Sequence, residues 1–463
     1  MYLLSRAIYL LAILSYILSS LFPSQYFIRI SVSALCMLAV CVSLQDVRGL
    51  ALLFGGFFLS AGSLMLFLSH ARVIHFVTSF GEMIQMVTLF ALIPILSLPI
   101  RYGHYSDEMR DLIQQKINSP KQFYAFTSGI SFFFSSFMNL AALPMTYHSI
   151  YSSVSKFPIT NKNRYLSRAI THGYAMPLLW SPITPIVGTV LDLTGTAYSK
   201  VLPYLLLLSI GGLLLDWGTA NRIPHFMNGH WQKTRKEIAV SKSGTIAGYH
   251  SAKLLHIAGA ILLLNGMITL LDHYFNVSFL FLVSLIVLPF AYFWSALIGQ
   301  AKPFFSGVRQ HFQTYIPKMQ NQFFIFLTAG FFITALRVSH ADTIVTQWVD
   351  MLIRLTGLRV FLVVLPFIPF ALAFIGLHPA VGLALISEAL RSQVLHQSPI
   401  VVTVAMLGGA IPAFLMGPYN ATLGMMSSLI DEKPFTLSNW NFSFTMLYLA
   451  LLTVFVQCIY SIL

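Results

Sequence analysis

SPITPIVG, Ser181 to Gly188, and GPYNATLG, Gly417 to Gly424, decide how this chain is read. Both octapeptides lie inside long apolar runs, and both carry Pro at the second place and Gly at the eighth. Proline removes a backbone donor and clashes with the preceding turn, so a helix through either stretch breaks. In hydrocarbon a broken helix persists only where its freed backbone groups face protein or a watery cavity. Working outward, each break is preceded by another interrupted apolar segment. The first is 122–155, interrupted at Asn139 to Pro144, and the second is 359–395, interrupted at Gly376 to Pro379. Earlier still, Ser69-His70-Ala71-Arg72 and Ser339-His340-Ala341-Asp342 each close an apolar run (LSAGSLMLFL and LTAGFFITAL). Ordered matches in two halves of an apolar chain point to internal duplication. Pro/Gly-broken helices at corresponding places point to a transport site near the bilayer midplane.

The composition agrees. Of 463 residues, 57% are hydrophobic and only 9% charged, against about 25% charged in a soluble domain. Many runs reach the roughly 20 residues that a spanning helix needs. The expected fold class is therefore an all-α polytopic membrane protein. It has about 11–12 spanning helices in two inverted repeats, each with a re-entrant hairpin and a broken helix. A β-barrel is disfavoured, because its strands would alternate polar and apolar residues. The formal charge of +13 does not imply nucleic acid, because the basic residues gather in a few loops, as on the cytoplasmic side of membrane proteins. Cys36, Cys41 and Cys458 show neither a paired framework nor metal-ligand spacing. The run from Tyr2 to Phe22 exceeds the length of a signal core and reads as a first spanning helix.

These segments divide the chain into a first half, 1–222, a basic cytoplasmic linker, 223–252, and a second half, 253–463. The first half holds scaffold helices, the hairpin 122–155 and the broken helix 165–198. The second holds the hairpin 359–395 and the broken helix 399–430. His104–Lys121 and Lys302–Lys318 read as surface helices, since the apolar positions of the first recur on one helical face. Placing the basic loops 100–121, 156–168 and 222–253 inside puts the N-terminus in the cytoplasm of a multi-pass plasma (inner) membrane protein. One conflict arises. From 50–69 to 320–338 the apolar runs count six crossings, whereas inversion needs an odd number. The reading favours inversion, with one segment within 253–299 not crossing.

Half-helix N-termini present free N–H groups and partial positive charge to an anion. Two hairpin tips facing two helix breaks would form an anion site without Lys or Arg. The candidates for substrate binding are Ser136 and Asn139 at the first tip, Ser181 and Thr184 at the first break, His378 at the second tip, and Tyr419, Asn420 and Thr422 at the second break. Acids within apolar spans are Glu82, Asp192, Asp350 and Glu388. An intramembrane acid is a functional candidate by default. Glu388 and Asp192 lie nearest a tip or break and are the candidates for proton coupling, with Arg391 available as a purely structural partner for Glu388. His70 and His340 read as turn residues.

The same residues resemble the ion transporter superfamily, which includes divalent anion/sodium symporters, arsenite pump proteins and the large subunits of tripartite dicarboxylate transporters. SSFMNLAALPM followed by YLSRAITHGYAMPLLWSPITPIVGTV is similar to the first half of the symporters. GLHPAVGLALISEAL followed by VTVAMLGGAIPAFLMGPYNATLGMM is similar to their second half. The resemblance implies a scaffold, a moving transport domain, often a homodimer, and Na⁺- or H⁺-coupled movement of an anion. The complete Ser-Asn-Thr tip of the symporters is missing here, and Gly376-Leu377-His378-Pro379 stands at the second tip. The expectation is a secondary active transporter of a small carboxylate-like anion working by an elevator mechanism. Its partners would be the solute and the lipid bilayer, with no nucleic acid, no cofactor and no metal beyond Na⁺ as a coupling ion. A cation/proton antiporter of the same architecture and a non-transporting relative acting through partners remain open alternatives. An enzyme is disfavoured: Arg168 and His172, four apart on one helical face, have no nucleophile or metal motif beside them.

Overall fold

The two Ser-His-Ala signals are helix terminators of one kind. Helix α3, Leu50–Leu68, ends at Ser69, and His70 adopts φ 52°. The Ala71 N–H then bonds back to the Leu66 carbonyl at 3.0 Å. At the second signal His340 adopts φ 57°, and the Ala341 N–H reaches the Leu336 carbonyl at 3.0 Å. This is the Schellman arrangement with histidine in the left-handed position that glycine usually fills. Both signals stop helices, but they do not mark equivalent places in the two halves.

The computed structural model describes residues 2–103, 117, 119–220, 252–275, 277–390 and 398–463, and these residues form helices without strands. The expected surface helix at 104–121 and the linker 223–252 lie largely outside them. Helices α1, Tyr2–Leu21, and α2, Tyr26–Ser43, precede α3. The span Val73–Tyr102 follows as three pieces, α4 Val73–Thr78, α5 Ile84–Leu92 and α6 Ser97–Tyr102, joined by 3₁₀ turns. Hairpin one is α7, Pro120–Met138, and α8, Ala142–Val154. The first broken helix is α9, Lys162–Ala175, and α10, Pro185–Thr194. Helices α11, Tyr198–Ala220, α12, Ala252–Tyr274, and α13, Phe279–Leu297, cross next. The surface helix α14, Ala301–Thr314, leads to α15, Gln320–Val338, and α16, Asp342–Thr356. Hairpin two is α17, Leu358–Val364, and α18, Phe367–Ile375, turning into α19, Pro379–Ala389. The second broken helix is α20, Pro399–Met416, and α21, Ala421–Ile430, followed by α22, Pro434–Ile462. Among the described residues, twelve helical segments are long and apolar enough to cross a membrane.

Packing resolves the crossing conflict. Gly55 of α3 faces Phe324 and Thr328 of α15, and Gly62, two turns on, faces Phe331 and Ala335. The two helices therefore run parallel and cannot be inversion partners. The span 73–102 runs the other way: Phe80 stacks on Phe331 at 4.6 Å, and Phe90 meets Phe326 at 5.3 Å. It is this span, the one before hairpin one, that corresponds to α15 before hairpin two. Between them the chain crosses an odd number of times, so the repeats are inverted. Both α12 and α13 are long enough to cross, and the expectation that one segment within 253–299 stops short is corrected. The mistake came from taking the two histidine caps as equivalent.

Both hairpins fold back on themselves. Phe123, near the start of α7, stacks on Phe157 just beyond α8 at 4.6 Å. Gly382 of α19 faces Leu372 of α18. Because the spans feeding them are antiparallel, the hairpins enter from opposite faces and meet tip to tip. Each return arm packs on the second half of the other repeat's broken helix, α8 on α21 and α19 on α10. This exchange locks the two repeats into one unit.

Candidate functional site

Where the tips meet lies a cavity of about 630 Å³. Hairpin one contributes Met138, Asn139 and Leu140, hairpin two Gly376 and His378, and the second break Tyr419 and Asn420. Arg48 and Leu50 at the start of α3, with Tyr315 at the end of α14 and Asn321 and Gln322 at the start of α15, form the mouth. Phe54, Phe90, Ile93 and Phe326 make an apolar flank, and no Asp or Glu stands among the described lining residues.

Asn139 bends the first tip at φ 47° and ψ −131°. A non-glycine residue in this region is strained, and such strain collects at functional sites. Its Oδ1 accepts the Tyr174 hydroxyl at 3.2 Å, and the same hydroxyl lies against Thr422. Tyr174 of α9 thus ties the first tip to the second broken helix. Sequence reasoning missed it, because nothing marks one Tyr of an apolar helix as special. With Oδ1 engaged, Nδ2 of Asn139 meets no partner among the described residues and remains a donor beside the cavity.

His378 caps α19. Its Nδ1 accepts the Ala380 N–H at 3.2 Å, so the neutral ring carries its proton on Nε2. Phe90 and Phe326 clamp the ring edge-on at 5.9 and 5.2 Å.

Asn420 is built differently. Its Oδ1 accepts the Leu423 N–H at 2.8 Å, and its Nδ2 donates to the Ala413 and Phe414 carbonyls at 2.7 and 2.9 Å. One side chain thus caps the N-terminus of α21 and satisfies carbonyls freed at the end of α20. The Ser438 hydroxyl takes the Met416 carbonyl at 2.6 Å, and Asn441 Nδ2 takes that of Leu415 at 2.8 Å. Asn420 shapes the cavity wall with no spare hydrogen-bonding atom.

Of the remaining candidates, Ser136, Ser181, Thr184 and Thr422 are buried behind the wall and do not line the cavity. Ser136 bonds back to the Phe132 carbonyl at 2.9 Å, and Ser181 donates to the Ser136 carbonyl at 2.9 Å, fastening the first break to the first tip. The Thr184 hydroxyl is buried without a hydrogen-bond partner among the described residues. The sequence brings breaks and tips together, but most of their hydroxyls serve the backbone.

The two acids chosen for proton coupling have other partners. Asp192 takes the Ser278 hydroxyl at 2.7 Å and the Phe279 N–H at 2.7 Å, capping α13 from a neighbouring helix. Glu388 meets Arg337 in a two-pronged pair, Nε to Oε1 at 2.8 Å and Nη2 to Oε2 at 2.7 Å, while Arg337 Nη1 reaches Glu82 at 2.6 Å. The alternative partner Arg391 lies outside the described residues.

No protein-family model and no curated protein matches this chain. Among solved structures it is similar to the YdaH transporter of Alcanivorax borkumensis, a structure noted for its unusual topology. The TM-score is 0.59 at 12% identity, over 87% of this chain and 97% of that one. It is also similar to MtrF of Neisseria gonorrhoeae, presented as illuminating a class of antimetabolite efflux pumps. There the TM-score is 0.55 at 12% identity, over 89% of this chain and 95% of that one. At this identity the likeness establishes the fold: this helical architecture is one that membrane transporters use.

Proposed function

We propose that the chain is a secondary active transporter that moves a small organic anion with an apolar body by an elevator mechanism, coupled to Na⁺ or H⁺. The observation that carries the reading is the cavity itself. Two re-entrant tips from opposite faces and a broken helix converge on it, as transporters built from inverted repeats require. Its chemistry favours an anion: Asn139 Nδ2 and His378 Nε2 are donors, Arg48 stands at the mouth, and no acid lines it among the described residues. The aromatic flank suits an apolar body better than a compact dicarboxylate. The transporter architecture of the two structural neighbours supports the reading, and so does the resemblance of the tips and breaks to the ion transporter superfamily.

The cavity opens on the face that carries Arg48, Lys156, Lys162, Lys302 and Lys318. By the positive-inside rule this face is cytoplasmic, which makes the conformation inward-open and puts the N-terminus inside.

Purified protein in liposomes tests the proposal with labelled benzoate and succinate, under imposed pH and Na⁺ gradients. Gradient-driven uptake of either anion is expected, with benzoate favoured. Asn139→Ala and His378→Leu are expected to lower uptake at least about tenfold, the effect of about 1.4 kcal/mol of lost binding. Unchanged uptake in both variants, with the fold intact by size-exclusion chromatography, would refute the site.

A further inference from the structure

Arg168 and His172, which no enzymatic reading absorbs, lie in a buried polar cluster away from the cavity. His172 of α9 is 1% exposed and Asp216 of α11 is fully buried. His172 Nδ1 stands 2.7 Å from Asp216 Oδ1. The same carboxylate accepts the Tyr124 hydroxyl at 2.9 Å and the Ser128 hydroxyl at 3.1 Å, both from α7. On the other side His172 Nε2 stands 3.1 Å from Asn441 Oδ1 of α22. Phe444 of the same helix stacks on the ring at 4.1 Å. Arg168, one turn earlier on α9 and also buried, is a further charged group of the cluster among the described residues, and Tyr165 packs edge-on against Tyr124 at 5.4 Å.

The Tyr124 and Ser128 hydroxyls both donate to Asp216, an arrangement that suits a carboxylate and places the proton of the 2.7 Å contact on His172 Nδ1. In this structure Asn441 presents its oxygen, not its nitrogen, to His172, because Nδ2 is engaged by the Leu415 carbonyl at 2.8 Å. Both ring nitrogens of His172 therefore face acceptors. A neutral imidazole would hold a bare nitrogen against an oxygen; an imidazolium satisfies both sides.

We propose that His172 and Asp216 form the proton-binding site of this transporter, and that Asn441 links its occupancy to the cavity wall. When the proton leaves Nε2 for water, the lone pair left behind repels Asn441 Oδ1. The amide then turns to donate Nδ2 to the ring and lets go of the Leu415 carbonyl. That carbonyl belongs to the end of α20, directly before the break whose Tyr419 and Asn420 line the cavity. Proton occupancy and the set of the second break are thus one equilibrium, which is what coupling needs. The coupling role rests on the transport reading; the bound proton does not.

The test has two arms. Full-length protein with ¹⁵N-labelled histidine in lipid nanodiscs reports ring protonation, and either His172→Gln or His172→Asn assigns the signal. At a pH of about 8, above the ordinary imidazole value of about 6.5, His172 is expected to carry protons on both nitrogens. A singly protonated His172 at that pH overturns the proposal, whatever the protein transports. In liposomes with labelled benzoate, His172→Gln, its fold checked by size-exclusion chromatography, is compared with wild type under an imposed pH gradient. It is expected to lose accumulation driven by a pH gradient. Wild-type accumulation persisting undiminished in His172→Gln overturns the coupling role. No movement by the wild-type protein overturns the transport reading and leaves the nanodisc arm to decide the proton site.

Discussion

At the scale of single residues, Asn139 and Asn420 look alike in sequence and differ in work. Each stands at an interruption, and the reading of the sequence assigned both to the solute. What a side chain does at a break depends on which backbone groups the break orphans, and that is set by neighbours remote in sequence. Asn420 faces carbonyls six and seven residues behind it and an N–H three residues ahead, whereas Asn139 is met by Tyr174, thirty-five residues away. The distinction predicts a rank order. Asn420→Ala removes an N-cap, worth about 1 kcal/mol, and strips partners from two carbonyls, for a total loss of about 1–3 kcal/mol. Asn420→Asp keeps the cap but sets an oxygen against those carbonyls, so it should melt lower than the alanine variant. Thermal unfolding in detergent reads the order. An aspartate variant as stable as wild type would mean that Nδ2 does not hold the break closed. Asn139→Ala, by contrast, should lower uptake more than melting temperature.

At the scale of elements, the breaks, hairpin tips and spans were legible, because proline, glycine and apolar length act locally. Which helices touch was not. Helices α7 and α9 run side by side in the same direction: the Tyr165 hydroxyl bonds the Pro120 carbonyl at 2.5 Å, and the Ser131 hydroxyl bonds that of Ile170 at 2.7 Å. Gly173 permits this approach, since a Cβ there would fall on the Ser128 carbonyl group. The obstacle is backbone, which cannot swing aside as a side chain can. Gly173→Ala should therefore destabilise the protein by about 1–3 kcal/mol, the range for overpacking, although alanine favours helix. Gly56, helical with open space where a Cβ would stand, is the control: Gly56→Ala should be neutral or stabilising by up to about 1 kcal/mol. Equal melting temperatures for the two variants would contradict the close contact. The cluster around His172 was illegible for the same reason. Its members come from four helices, α7, α9, α11 and α22, that are spread over more than 300 residues of sequence.

At the scale of the whole molecule, inversion was legible from the paired breaks, while the conflicting count came from pairing the wrong helices. Inversion has a mechanical consequence. Arg337 lies sixteen residues along α15 from Asn321 at the cavity mouth, about 24 Å at 1.5 Å per residue, and so sits near the opposite face. There it holds Glu388 at the base of hairpin two and Glu82 at the start of the span before hairpin one. The open mouth and this bridge stand at opposite ends of the same interface, so under the proposed elevator mechanism the bridge belongs to the state in which the far side is shut. Its loss should shift the population toward the opposite opening. Glu388 is 3% exposed and Arg337 22%, and removing one partner of a buried pair leaves the other uncompensated, a larger effect than at the surface. A shift of about 1.4 kcal/mol changes the state ratio tenfold. With Cys36, Cys41 and Cys458 replaced, Asn321→Cys reports the mouth through its reaction with a membrane-impermeant thiol reagent. Adding Glu388→Gln should slow that reaction severalfold, and the paired exchange Arg337→Glu with Glu388→Arg should restore part of the rate. An unchanged rate in Glu388→Gln would show that the bridge does not bias the two openings.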